Sequence, residues 1–250
     1  MTFTLVGSGT TVPSPSRGPA GFLVRHEDTK LLVDGGSGTL QRLVAAGVDP
    51  RDLDGGVYSH RHVDHSGDLV PLLFTLKVGM DKPRTRDYPI FAGEGFEDFL
   101  DALRGVYGTW IQGSDWECPV TELPLDGPGE AELPGGVRLL TRPANHSAGA
   151  LHLRFEAGGR SVVFSGDTGP SEGLAVLAEG CDVLVCECAV AEAGDFGHLC
   201  PEEVLGIVRH ARPQRVVLTH FYPSVDEGDA LGVIAQAGVP VERGYDGQIL

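Results

Sequence analysis

In this chain of 250 residues, 35 acidic side chains outnumber 19 basic ones, for a formal net charge of −16, and 41% of the residues are apolar. That length and apolar fraction allow a sizeable core without disulfides, in one large domain or two small ones. The acidic balance, with Lys82, Arg84 and Arg86 as the densest basic cluster, excludes long nucleic acid as a first expectation for the partner.

In chain order, FTLVGSG (3–9) reads as a strand entering a glycine turn, and GFLVRHEDTKLLVDGG (21–36) as a hairpin. Residues 38–47 suit a helix ended by Gly47; 56–58 give a strand, 67–78 a helix, 89–93 a strand and 96–108 a helix. The stretch 123–136, LPLDGPGEAELPGG, reads as a proline- and glycine-rich loop. A second β-rich passage covers 137–146, 151–167 with a turn at Gly158-Gly159, and 182–190. A helix over 201–211 with Pro201 in its first turn, a strand over 215–220 and a last helix over 226–237 complete the pattern. The order is β-rich then α, repeated, with no linker long enough to divide it, so one domain over 1–250 is expected.

Cys118, Cys181, Cys186, Cys188 and Cys200 are odd in number and unevenly spaced, which argues against a disulfide framework. The pair Cys186 and Cys188 reads as small core residues. The N-terminal MTFTLVGSGT carries no basic segment or long apolar run, and no stretch approaches the roughly 20 apolar residues of a membrane span. The expectation is a reduced, soluble, cytoplasmic protein with no membrane partner.

Polar residues at strand ends carry the chemistry. His60, Asp167 and His220 each follow an apolar run, and His146 ends another, as if several strands along one sheet edge faced one cleft. In SHRHVDHSGDL (59–69), His60 and His62 are two residues apart in extended chain and share a side, so they can share a metal. Asp64 and His65 follow after the chain turns and can reach a second ion. Imidazole and carboxylate suit zinc, and His146, Asp167 and His220 complete the ligand count, with the two oxygens of Asp167 able to bridge. His26, His152 and His210 read as structural. Asp34, before a Gly-Gly turn, and Asp68 are candidates to accept the free N–H of a ligand histidine.

HRHVDH (60–65) resembles the H-x-H-x-D-H signature of the metallo-β-lactamase superfamily, and NHSAG (145–149), SGDTGP (165–170) and LTHF (218–221) resemble its later motifs, in order. The resemblance implies an α/β fold, a four-layered αββα sandwich. Asp167-Thr168, CECA (186–189) and GHL (197–199) are most similar to the ribonuclease Z group of phosphodiesterases, which implies that Glu187 and His198 are catalytic partners beside the metals. We read His60, His62, His146 and Asp167 as ligands of one zinc and Asp64, His65, Asp167 and His220 as ligands of a second, with manganese or iron as alternatives. Such ions would supply a hydroxide to attack phosphorus; Asp64 would orient it, and His198, held by Glu187, would serve as the general acid.

Transfer-RNA 3′-processing members of that group carry P-x-K-x-R-N near the N-terminus and a long glycine- and proline-rich arm. Here the first stretch reads PSPSRG (13–18), and 123–136 is short and acidic. The expected substrate is therefore a small phosphodiester of the cyclic-phosphate or cyclic-nucleotide type. Alternatives are a transfer-RNA endonuclease, a lactone, carboxyl-ester or thioester hydrolase, an iron oxidoreductase and a non-catalytic metal module. A homodimer is left open, and so is the role of 79–120, for which a lid and a dimer surface are the two options.

Overall fold

In the computed structural model, which describes residues 1–194, 197–226 and 230–250, the short apolar runs become strands of two sheets. Strands β1 (Thr2–Gly7), β2 (Gly21–His26), β3 (Thr29–Val33), β4 (Gly55–Tyr58), β5 (Ile90–Gly93) and β6 (Val120–Leu123) are neighbours in that order in the first sheet. Strands β7 (Gly129–Leu133), β8 (Val137–Pro143), β9 (Leu151–Ala157), β10 (Arg160–Phe164), β11 (Val183–Glu187), β12 (Val216–Thr219) and β13 (Val241–Arg243) make the second. β1 to β3 are antiparallel and β3 to β6 parallel; β7 to β10 are antiparallel and β10 to β13 parallel. The parallel strands GGVY, VLVCE and VVLT are buried throughout, as strands covered on both faces must be.

Side chains alternate faces along each strand. Phe22, Val24, Leu31 and Val33 point inward to meet Leu153, Phe155, Phe164, Val185 and Val217 of the other sheet. Leu23 and Leu32 point outward against α1 (Thr39–Ala45) and α3 (Leu69–Val78), beside α4 (Phe96–Tyr107). On the far side, Leu184, Cys186, Val216 and Leu218 pack on α5 (Glu172–Leu177), α6 (Pro201–Ala211) and α8 (Ala230–Ile234). The layers are thus helix, sheet, sheet, helix, the expected αββα sandwich. Each fully buried Leu, Val or Phe favours the fold by about 1.5–3 kcal/mol before chain entropy is counted.

Several expectations are corrected. Within 123–136, Gly129–Leu133 is strand β7: GEAEL alternates buried and exposed residues, a period of two that glycine and acidic content hid. The helix placed at 67–78 begins at Leu69, and Val63–Ser66 forms a separate turn, α2, across Gly67. α5, capped by the Ser171 hydroxyl, was not anticipated. Part of the helix placed at 226–237 lies outside the described residues; α7 (Pro223–Asp226), α8 and a tight turn at Ala235–Ala237 occupy the rest. The stretch 79–120 supplies Ile90, Phe96, Leu100, Ile111 and Trp116 to the core, so its bulk is a structural layer and not a lid. No helix among the described residues is long and apolar enough to cross a membrane.

Candidate metal centre

The chemistry-bearing residues sit where strands end, but on both sheets and not on one edge. Asp34 follows β3 and His60 follows β4; His146, Asp167 and His220 follow β8, β10 and β12, and Glu187 ends β11. Two of these turns adopt left-handed backbone at non-glycine residues, Asp34 (φ 52°) and His220 (φ 56°), a conformation that costs about 1–3 kcal/mol and clusters at functional sites. The His220 N–H donates to the Ser8 carbonyl at 3.0 Å, and the Asp34 N–H to the Val57 carbonyl at 2.8 Å, which fixes both turns. Gly36 lets this layer close: a Cβ there would lie 2.1 Å from the Asp64 carbonyl oxygen.

Three overlapping sets of donor atoms converge, the third being Asp167, His198 and His220. His60, His62, His146 and Asp167 each offer an atom within 4.8 Å of the others, and Asp64, His65 and His220 do the same. In the first set, His62 Nδ1 lies 3.1 Å from both His60 Nε2 and His146 Nε2. In the second, His220 Nε2 is 3.4 Å from His65 Nε2 and from Asp64 Oδ2. Asp167 stands between them, with Oδ1 3.2 Å from His65 Nε2 and Oδ2 3.4 Å from His220 Nε2, 3.8 Å from His60 and 3.9 Å from His146.

The residues fit divalent cations. A single proton on His62 Nδ1 cannot serve two facing ring nitrogens. Donors bound at about 2.0–2.1 Å to one tetrahedral ion lie ~3.3 Å apart, close to the spacing here. Burial, the largest influence, pushes His60 and His146 below the usual imidazole range, leaving their lone pairs free. Burial would raise Asp64, but the His220 and His65 rings outweigh it and hold the carboxyl at about 2. Asp167 is likewise held well below its ordinary value, since the surrounding histidines overcome its burial.

Behind the donors, Asp34 is fully buried and accepts from Ser59 N, Ser59 Oγ and His65 Nδ1, each at 2.7 Å. The last bond leaves His65 Nε2 to take its place in the second donor set. Ser59, 3.1 Å from His60 Nδ1, was missed; it is one more polar residue after a strand, and only its contacts mark it. Asp68 is not brought to a ligand histidine: its carboxylate accepts the Leu40 N–H at 2.9 Å, at the start of α1.

Glu187 and His198 meet beside the second set. His198 Nδ1 donates to Glu187 Oε1 at 3.1 Å, and the same carboxylate accepts from Thr168 N at 2.6 Å and Leu199 N at 3.2 Å. The His198 ring stacks on His220, centroids 5.5 Å apart. Burial would lower His198, but the Glu187 bond and the nearby carboxylates outweigh it and raise it. Of the histidines read as structural, His152 is fully buried, donating from Nδ1 to the Ser165 carbonyl (2.6 Å) and accepting from Ser171 Oγ (2.9 Å). His210 pairs with Glu179 on the surface at 3.3 Å.

Comparison with known proteins agrees with this architecture. The family model described as a beta-lactamase superfamily domain matches residues 29–221. A ribonuclease Z from Mycolicibacterium paratuberculosis (strain ATCC BAA-968 / K-10) is 31% identical over 245 residues, 90% of this chain and 87% of that one. Among solved structures, the metallo-beta-lactamase fold protein YhfI from Bacillus subtilis superposes with a TM-score of 0.85 at 23% identity, over 100% of this chain and 98% of that one. A diphosphatase from the PhnP family superposes with a TM-score of 0.75 at 19% identity, over 100% and 96%. Fold, family match and converging donors agree: this chain belongs to the metallo-β-lactamase superfamily, in its ribonuclease Z-like group, and is a metal-dependent hydrolase of the phosphodiesterase class.

Proposed function

We propose that this hydrolase holds two zinc ions and cleaves a small phosphodiester, of the cyclic-phosphate or cyclic-nucleotide type. The observation that carries the reading is the pair of donor sets that meet at Asp167, with the His198–Glu187 pair alongside. His60, His62, His146 and Asp167 hold one ion; Asp64, His65, His220 and Asp167 hold the other. Two such cations supply charge neutralisation at phosphoryl oxygens and a water of lowered pKa.

The protein's own groups do the rest. Asp64, ionised, keeps a free oxygen lone pair to orient the attacking water. Glu187 fixes the His198 tautomer and favours its protonated form, so His198 can deliver a proton to the leaving alkoxide. The Thr168 and Leu199 N–H groups hold Glu187 in place from two loops.

Three features favour a small substrate. The net charge is −16, PSPSRG replaces the basic motif at 13–18, and residues 120–133 are spent on edge strands β6 and β7. The PhnP-family diphosphatase has the same fold. A second reading, a transfer-RNA 3′-processing endonuclease, is favoured by the 31% identity to a ribonuclease Z over most of both chains. A turnover screen of the zinc-loaded protein decides, comparing bis-nitrophenyl phosphate, cyclic nucleotides, lactones, thioesters and a precursor transfer RNA. Turnover highest on cyclic nucleotides supports the proposal. Preference for the transfer RNA, or for the carbonyl substrates, overturns it.

A further inference from the structure

The residue between the first two ligand histidines, Arg61, points away from the donor cluster, as the alternation of extended chain requires. Its guanidinium donates to two backbone carbonyls from other loops: Nη1 to Gly95 O and Nη2 to Ala148 O, both at 3.0 Å. Gly95 caps α4 after β5, in the first sheet; Ala148 lies in the His146 loop after β8, in the second. The cradle is shaped for this group. Gly95 (φ 86°) and Gly149 (φ 84°) are left-handed, and a Cβ on either would sit 3.3 Å from Nη1 or 3.7 Å from Nε. The two loops also press together directly, since a Cβ on Gly93 would lie 2.3 Å from the Gly149 carbonyl oxygen. Carbonyls, and not a carboxylate, take up the charge, and a planar fork reaching two acceptors is a task that lysine cannot perform.

We infer that Arg61 is a positioning residue that braces the His60–His62 loop against the His146 loop across the two sheets and so sets the first metal site. His62 and His146 come from opposite sheets, yet their ring nitrogens stand 3.1 Å apart. At the base of that gap the Leu151 N–H donates to the Ser59 carbonyl at 2.9 Å, and nearer the ligand rings the guanidinium adds two further bonds between the loops. The inference rests on the proposal that His60, His62, His146 and Asp167 hold an ion.

The test measures Co²⁺ and Zn²⁺ affinity by chelator competition, with the visible spectrum of the cobalt form as the geometric readout. A His220→Ala background leaves the first donor set alone. There, Arg61→Met and Arg61→Lys should each weaken metal binding about 10–100-fold, as loss of a ligand's supporting partner does, and alter the cobalt spectrum. In a His62→Ala background, where the second set is the one left complete, Arg61→Met should change affinity less than about twofold. Loss at both sets alike would mark Arg61 as a general stabiliser and overturn the inference, as would unchanged affinity and spectrum at the first. Failure of the parent His220→Ala protein to bind any metal would instead strike the two-ion reading itself. Melting of each variant in chelator separates misfolding from a displaced ligand.

Discussion

Replacing Asp34 with Asn removes one charge and no volume, and its effect follows from three hydrogen bonds. Asp34 Oδ1 accepts from Ser59 N, and Oδ2 accepts from both Ser59 Oγ and His65 Nδ1, all at 2.7 Å. An amide keeps one acceptor. If its oxygen stays on Ser59 N, the new NH₂ faces His65. The Ser59 hydroxyl can turn and accept, but His65 Nδ1 must give up its proton to do so. That proton moves to Nε2, the atom that lies 3.2 Å from Asp167 and 3.4 Å from His220, and a protonated nitrogen has no lone pair for a metal. The opposite amide orientation leaves the buried Ser59 N–H facing a donor. Asn tolerates the left-handed backbone at 34, so strain is not added. The expected cost is about 10–100-fold in affinity at the second donor set, or ~1.4–2.7 kcal/mol. Zinc competition with a chromophoric chelator in the His62→Ala background measures it. Affinity within twofold of the parent would refute the tautomer argument.

Other outcomes follow from the same geometry. His198→Ala should slow hydrolysis of an alkyl phosphodiester about 10²–10⁴-fold and of a nitrophenyl ester far less, because nitrophenolate leaves unaided; equal losses would remove His198 as the acid. His152 is held at about pKa 4 by burial against an ordinary 6.5. The unfolded chain therefore takes up this proton first, and stability falls as pH drops from 6.5 to 4, by about 3 kcal/mol at the lower end. In urea melts of metal-free protein, the gap between wild type and His152→Gln should narrow by that amount over this window; a constant gap counts against it. Metal at a hundred times its dissociation constant should add about 2.7 kcal/mol per site, so chelation should lower the melting temperature by about 5–10 °C per site, readable by calorimetry.

The donors were legible because their signals are local. H-x-H-x-D-H places two imidazoles on one side of an extended segment, and His146, Asp167 and His220 each follow an apolar run. Partnership across the fold was less legible. Asp34 and Asp68 both sit beside glycines, yet one reaches His65, 31 positions away, and the other a backbone N–H at Leu40. Which sheet a strand joins was not readable either, since nothing within β4 or β12 names its neighbours. That is why one sheet edge was expected and two sheets contribute. α5, with six residues, is too short to display a helical period, and the acidic alternation of β7 was masked by the glycines and prolines around it.

The hairpin turns at Glu27-Asp28 and Gly158-Gly159 precede β3 and β10, whose far ends lead to Asp34 and Asp167. Both turns therefore lie at the pole remote from the chemistry, about 17 Å along a five-residue strand. A fluorophore, affinity handle or inserted peptide placed at either turn would ride on the sandwich without crowding the cleft, which makes that pole the natural place to immobilise the enzyme.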